Sequence, residues 1–317
     1  MAHLPDALVI RVDAHGALVE IDQERVQAQL RGALFQESSW ATRPVAVGDR
    51  VVVQGSGKDI TIAAVLPRKN QFLRVAGGEE RLAQVIATNV DQVVAMASLS
   101  KPGFSSSFVD RVLAGAEAGD IKRILILNKI DQADPEFAAG IVNTYRRAGV
   151  EVFTISATSG SGVELLQSTL ISKTTVITGL SGVGKTTLIN ALIPGAQKPI
   201  GHISWKWSQG KHTTTAAELL HLPFGGNIID TPGIRAFVPW GIHKGSLRHC
   251  FPDLEPLLGR CRFSDCQHSV EPGCALKAAV ESGEIARTRV ATYLELLDEL
   301  LDPPEEWSEG ARPGNRQ

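Results

Sequence analysis

The sequence predicts three folded parts in series: an antiparallel β-barrel of the OB type, an α/β domain around a parallel sheet, and an α-helical domain that holds a metal ion. Three observations carry this. Short runs of alternating apolar and polar residues fill about the first seventy positions, strands then alternate with helices, and all four cysteines fall between Cys250 and Cys274.

Composition sets the outer limits. With 317 residues, 43% hydrophobic and 21% charged, the chain is ordinary globular material, which excludes a largely disordered, collagen-like or coiled-coil protein. One hydrophobic core is near its limit of growth at this length, so two or three domains are expected. The boundaries are placed at 1–72 for the barrel, 73–240 for the α/β domain and 241–302 for the helical domain, with 303–317 a polar, Pro/Gly-rich tail. A net charge of -2 argues neither for nor against a nucleic-acid partner. No apolar run approaches the ~20 residues that cross a bilayer. The start, MAHLPDALVIRVDAHG, lacks a basic n-region, and Asp6 and Arg11 interrupt any signal-like apolar stretch. The expectation is a cytoplasmic protein without membrane contact.

In the barrel region the runs ALVIRV, ALVEI, RVQAQL, DRVVVQ and DITIAAVL are separated by Gly16, Gly32, Gly48 and Gly55. Five short strands suit an OB-fold, a common oligonucleotide binder; an SH3-like or other small barrel serving as a protein contact fits the same pattern. From about residue 80 the order becomes strand VDQVVAMAS, helix SSFVDRVLAGAEAG, strand RILIL, a helix near 135–148, strand EVFTISA, a helix near 161–170 and strand TTVITGL. Nearly continuous apolar strands alternating with helices predict a parallel sheet covered on both faces. After Asp230 the chain is rich in Pro, Gly and Cys, then returns to amphipathic helix with Tyr293, Leu296, Leu297, Leu300 and Leu301 on one face.

The chemistry lies in four short motifs. Gly179-Leu180-Ser181-Gly182-Val183-Gly184-Lys185-Thr186 fits GxxxxGK[ST] between a strand and a helix that continues through Thr187. Glycines let the backbone N–H groups face phosphate oxygens, Lys185 reaches the β- and γ-phosphates, and the Thr186 hydroxyl suits Mg²⁺. Asn128-Lys129-Ile130-Asp131 closes the buried strand RILIL. It looks like the NKxD motif of GTPases, in which the Asp131 carboxylate accepts the N1–H and N2–H₂ of guanine, donors that adenine does not offer. Ser156-Ala157-Thr158, at the end of EVFTISA, resembles the loop that supports the base from the other side. Asp230-Thr231-Pro232-Gly233 resembles DxxG, with Asp230 near Mg²⁺ and the Gly233 N–H near the γ-phosphate. Thr213, Thr214 and Thr215 lie where a switch threonine belongs; Thr214 is grouped with Thr186 and Asp230 as the magnesium set, although chemistry alone does not choose among the three hydroxyls.

The order of these motifs is unusual. Ordinary GTPases run P-loop, switch threonine, DxxG, NKxD and SAK, whereas here NKID and SAT come first. Circular permutation makes the same sheet from either order, because domain termini usually lie close together. With a barrel before it and a cysteine cluster behind it, the chain closely resembles the small ribosomal subunit biogenesis GTPases, the RsgA or YjeQ family. The resemblance rests on VLPRKN (65–70), NKID, GLSGVGKTTLIN (179–190), GKHTTT (210–215), DTPGIRAF (230–237) and the cysteine region. It implies an OB-fold, a circularly permuted P-loop GTPase domain and a zinc domain. It further implies GTP hydrolysis stimulated by the small (30S) ribosomal subunit and its rRNA late in maturation, with GTP, GDP and Mg²⁺ at the site and a monomeric chain.

Cys261, Cys266, His268 and Cys274 offer three thiolates and one imidazole within fourteen residues, a closed set of the structural-zinc kind with one ion per chain. The resemblance assigns these four as ligands and leaves out Cys250, read as a buried apolar side chain. The position that carries the water-orienting glutamine in Ras-like enzymes is Ile234, which cannot hydrogen-bond. His212, just before the threonines, is the candidate catalytic group, and the family's GxHTTT pattern points the same way; packing of the switch or contact with RNA are its alternatives. Trp205 and Trp207 flank Lys206, a pattern that suits base stacking or simple packing on the domain. Two other functions fit parts of the pattern: an RNA-binding scaffold with a slow nucleotide site, and an ATP-dependent P-loop enzyme, against which Asp131 argues.

Overall fold

Alternation makes the first strands two-faced, and closing them into a barrel hides the apolar face. The computed structural model describes residues 6–14, 16–55, 59–77, 82–195, 217–234 and 236–300. Strands β1 (Asp6–Val12), β2 (Ala17–Ile21) and β3 (Glu24–Leu30), a short helix α1 (Gly32–Glu37), and strands β4 (Arg50–Gln54) and β5 (Thr61–Val65) follow in order. They pair as β1-β2-β3-β5-β4, and β4 returns to β1 to close the ring. The pairing of β3 with β5 is parallel and the others are antiparallel, giving the five-stranded barrel of an OB-fold. Val9, Val19, Ala28, Val51 and Ile62 fill its interior.

A hairpin of β6 (Gln71–Val75) and β7 (Ala83–Thr88), which the sequence pattern does not announce, straddles the boundary expected at residue 72. A fully buried carboxylate, Asp49, joins it to the barrel. Asp49 accepts from Arg68 Nε at 2.7 Å, from Arg68 Nη2 at 2.8 Å and from the Thr88 hydroxyl at 2.8 Å.

The α/β domain then runs β8 (Gln92–Ser98), α2 (Ser106–Ala118), β9 (Lys122–Asn128), α3 (Pro135–Arg147), β10 (Glu151–Thr154), α4 (Val163–Leu170), β11 (Thr174–Gly179), α5 (Lys185–Leu192), β12 (Glu218–His221) and β13 (Asn227–Asp230). Strands β10-β9-β8-β11-β13 are parallel neighbours, and every residue of β8 is buried, which explains its unbroken apolar reading. Asp134 caps α3 by accepting the Phe137 N–H at 2.8 Å, with Pro135 in the first turn where its missing N–H costs nothing. Helices α2 and α3 pack on one face of the sheet through Val109, Val112, Leu113, Ile141 and Tyr145. Helices α4 and α5 cover the other through Val163, Leu166, Leu188 and Leu192. Strand β12 runs antiparallel to β13 and also meets β1, with Arg11 opposite Glu218, so barrel and α/β domain share one eleven-stranded sheet. Across that junction His221 Nε2 lies 2.9 Å from a Glu20 carboxylate oxygen.

The C-terminal part carries α6 (Lys244–Leu247), α7 (Ala275–Glu281) and α8 (Arg287–Glu299) around Leu247, Phe251, Leu254, Leu276, Tyr293 and Leu296. Cys250 lies in this core as expected, and burial pushes its thiol up to about 12. Helix α8 docks on α2 through buried charge. Arg289 donates to Asp110 at 2.8 Å and to Asp253 at 2.9 Å, the Tyr145 hydroxyl donates to Asp110 at 2.8 Å, and the guanidinium lies 4.7 Å from the centre of the Phe251 ring. Leu300 is buried just past α8; Leu301 and the tail 303–317 lie outside the described residues.

Candidate functional site

The carboxyl ends of β9, β10, β11 and β13 bring four separate motifs to one edge of the sheet. Gly179 ends β11, Lys185 opens α5, and Leu180 to Gly184 form the loop between them, the strand–loop–helix context that a P-loop requires. Thr186 and Thr187 follow in the first turn, half-buried. Two loop glycines sit in the left-handed region, Gly182 at φ 84° and Gly184 at φ 98°. At Gly184 any side chain would collide with the NKID motif, since an added Cβ would lie 2.2 Å from Asn128 Nδ2.

Asn128 explains that closeness. Its amide is 2% exposed, donates to the Val183 carbonyl at 2.8 Å, and accepts the Ala157 N–H at 2.9 Å. One side chain thus ties NKID both to the P-loop and to SAT. Lys129, itself left-handed at φ 65°, donates from Nζ to the Gly182 carbonyl at 2.9 Å and to the Lys101 carbonyl. Asp131 projects from the strand end, exposed, where the Ser156 hydroxyl first, then backbone, Gln132 and the Lys129 charge hold its carboxyl below the ordinary range. The carboxylate is therefore ionised and an acceptor only. Gln132, which the sequence reading passes over, is itself held by the Ser100 hydroxyl at 2.8 Å. Its one sequence signal is its place beside Asp131.

Between the P-loop and DTPG, Lys185 Nζ lies 3.0 Å from Asp230 Oδ1. The Thr231 hydroxyl donates to the Ile177 carbonyl at 3.0 Å, fixing DTPG to the strand that leads into the P-loop. Gly233 rests against Ser181, whose Cα would be 3.5 Å from a Cβ at that glycine. Ile234 is buried at 7% exposure in the core beneath α2. Beyond it Phe237 stacks on Phe72 at 5.2 Å, a fit that needs Gly115, where a Cβ would come within 2.9 Å of the ring. The Val75 N–H donates to the Val238 carbonyl at 2.8 Å, so the hairpin also holds this segment. His212, Thr213, Thr214, Thr215, Trp205, Lys206 and Trp207 lie outside the described residues.

The second cluster is in the C-terminal domain. The donor atoms of Cys261, Cys266, His268 and Cys274 all lie within 4.8 Å of one another. His268 Nδ1 is 3.4 Å from Cys261 Sγ and 3.5 Å from Cys274 Sγ. A tetrahedral ion with the usual Zn–S and Zn–N bond lengths separates sulfur from nitrogen by about 3.5 Å. The four donors therefore fit a small tetrahedral cation, and Cys250 is not among them. Among the described residues no helix is long and apolar enough to cross a membrane.

Comparisons with known proteins agree with this geometry. Residues 65–240 match the family described as RsgA GTPase. The chain is 37% identical over 281 residues to the small ribosomal subunit biogenesis GTPase RsgA of Gemmatimonas aurantiaca, covering 88% of this chain and 91% of that one. It is 39% identical over 266 residues to the protein of the same name from Shewanella oneidensis, covering 81% and 74%. Among solved structures it is similar to YjeQ from Thermotoga maritima, with a TM-score of 0.67 at 31% identity over 95% of this chain and 99% of that one. It is also similar to YloQ, a circularly permuted GTPase, with a TM-score of 0.63 at 29% identity over 94% and 95%.

Proposed function

Because this chain belongs to the RsgA GTPase family, we propose that it hydrolyses GTP in the biogenesis of the small ribosomal subunit and that subunit-stimulated hydrolysis times its binding and release. The observation that carries the guanine-nucleotide reading is the pair of hydrogen bonds by which Asn128 donates to the Val183 carbonyl and accepts from the Ala157 N–H. It makes the base-reading motif and the phosphate loop one rigid unit although permutation has reversed their order in the chain.

In this reading Asp131 accepts from the guanine N1–H and N2–H₂, Ser156 and Ala157 close the other side of the base, and Lys129 spans from the base to the P-loop. The backbone N–H groups of Gly179 to Gly184, with Lys185, Thr186 and Thr187, cradle the phosphates at the N-terminus of α5. Lys185 and Asp230 lie side by side, so a cation for the phosphates and a carboxylate for their metal ion are both at hand. Thr186, Asp230 and the switch threonine Thr214 would hold Mg²⁺, which when bound draws charge from the β- and γ-phosphates. The buried Ile234 supplies no hydrogen bond to water, so His212 is the group that orients the attacking water on the subunit. Without that help turnover is slow, on the order of 10⁻⁴–10⁻² s⁻¹ as in unassisted GTPases.

The partner is the small (30S) subunit and its rRNA, met by a cytoplasmic, monomeric chain. Cys261, Cys266, His268 and Cys274 hold one structural Zn²⁺ per chain, the ion that three thiolates and an imidazole in tetrahedral array favour. The test is phosphate release from GTP and from ATP, alone and with purified small or large subunits. Release from GTP, accelerated by small subunits alone, is the expected result. Equal use of ATP would refute the base assignment, and indifference to small subunits would favour an RNA-binding scaffold.

A further inference from the structure

Three of the four ligands of the C-terminal cluster, Cys266, His268 and Cys274, lie in one loop of nine residues, and no regular hydrogen-bond ladder shapes it. One side chain does. Glu271 Oε1 accepts the Gln267 N–H at 2.9 Å, and its Oε2 accepts the N–H groups of Ser269 at 2.9 Å and Val270 at 3.0 Å. Gln267 and Ser269 are the immediate neighbours of His268, so the carboxylate grips the backbone on both sides of that ligand. His268 is held left-handed at φ 62°, a conformation that a residue with a Cβ adopts only when its surroundings enforce it. The result brings Nδ1 to within 3.5 Å of both the Cys261 and Cys274 sulfurs.

We propose that Glu271 is a positioning residue for the metal site: it is no ligand, but it folds the 266–274 backbone so that Cys266, His268 and Cys274 meet Cys261 at one ion. Both of its oxygens are turned to backbone N–H groups, and the four donors already complete a tetrahedron, so Glu271 has neither a free oxygen nor an open coordination position to serve as a fifth ligand. Its own backbone N–H first, then those of Gln267, Ser269 and Val270, hold its carboxyl down at about 2, so the acceptor is charged near neutral pH. A contact to a ligand atom itself comes from the Ala275 N–H, which donates to Cys261 Sγ at 3.3 Å from the start of α7. Outer contacts of this sort orient ligands, and their loss typically weakens metal binding by roughly 10–100-fold.

The inference rests on the reading of the cluster as a zinc site, and the experiment separates the two. Full-length wild type, Glu271→Ala, Glu271→Gln and Cys266→Ala are titrated with a chromophoric chelator to obtain zinc affinity, and each is loaded with Co²⁺ to record its visible and thiolate charge-transfer absorption. Expected are one zinc in the wild type, an affinity lower by roughly 10–100-fold in Glu271→Ala, and an intermediate loss in Glu271→Gln, which keeps an accepting oxygen but no charge. At saturating Co²⁺ the Glu271 variants should show the wild-type spectrum, because their ligand set is intact, whereas Cys266→Ala should lose thiolate intensity. Wild-type zinc affinity in both Glu271 variants overturns the proposal. A changed Co²⁺ spectrum in them also overturns it, by making Glu271 a ligand. A wild type that holds no metal refutes the zinc reading itself.

Discussion

Replacing Asn128 by Ala removes one amide and orphans two backbone groups at once. The Val183 carbonyl and the Ala157 N–H each lose their 2.8–2.9 Å partner, in surroundings where Asn128, Val183 and Ala157 are 2%, 2% and 6% exposed. A buried backbone group left unpaired costs about 1–3 kcal/mol, so the pair costs about 2–6 kcal/mol. The variant has two ways to respond. If the loops stay, the domain loses stability; if they shift to reach water, the nucleotide loses its preformed site. The two losses together should reach at least about 2 kcal/mol, and falling wholly on binding that is roughly a thirtyfold weaker affinity. Titration with a fluorescent GDP analogue reads the second term, and thermal melting of the nucleotide-free protein reads the first. An Asn128→Ala protein with both wild-type affinity and wild-type melting temperature would refute the claim that this side chain joins the base and phosphate loops.

Three further outcomes follow from the same structure. Asp131→Asn should weaken GTP binding by up to roughly 10⁴-fold and improve xanthosine triphosphate, whose 2-oxo group accepts from the new amide; unchanged GTP affinity removes NKID from base recognition. His212→Ala should keep GTP and subunit binding yet lose roughly 10²–10⁴-fold of the subunit-stimulated rate, and full stimulation in the variant would transfer that role to the ribosome. Arg289→Met strands Asp110 and Asp253, 0% and 5% exposed at their side chains, without their cation. Breaking such a pair costs about 3–5 kcal/mol, so the C-terminal domain should melt earlier and be cut sooner by protease while GDP affinity changes little; an unaltered melt argues that the triad adds nothing to docking.

Much of the candidate site was legible because each of its motifs is contiguous in the chain. The P-loop needs its glycines and Lys185 consecutively, NKID needs a buried strand before it, and the four metal donors fall within one stretch. The same holds for the five barrel strands, whose alternation is local. What escaped the sequence depends on distant pairing. Arg289 falls one turn before Tyr293 on the apolar face of α8, where the sequence shows no partner for a charge, yet it is buried because Asp110, 179 positions away, and Asp253 meet it there. The β6–β7 hairpin carries Arg74 and Gln84 between apolar residues, a weak alternation whose meaning comes from Phe237 packing on Phe72. Gln132 and Ser100 show no pattern of their own, and their contact appears only once β8 and β9 lie side by side.

The shared sheet has a consequence for how the two larger domains can be separated. Strand β12 would otherwise end the α/β sheet with a row of unpaired backbone groups, and an exposed row of that kind invites pairing with another chain. The barrel blocks it by laying β1 alongside at Arg11 and Glu218, and the Glu20–His221 contact secures the fit. The protection is reciprocal, since the same meeting shields β1 at Arg11, past Leu8 where its pairing with β4 stops. Neither domain is therefore a free-standing module with a finished surface. A chain trimmed of its first sixty-odd residues would keep every nucleotide-site residue discussed above and still present a sticky strand beside β13, with self-association as the price.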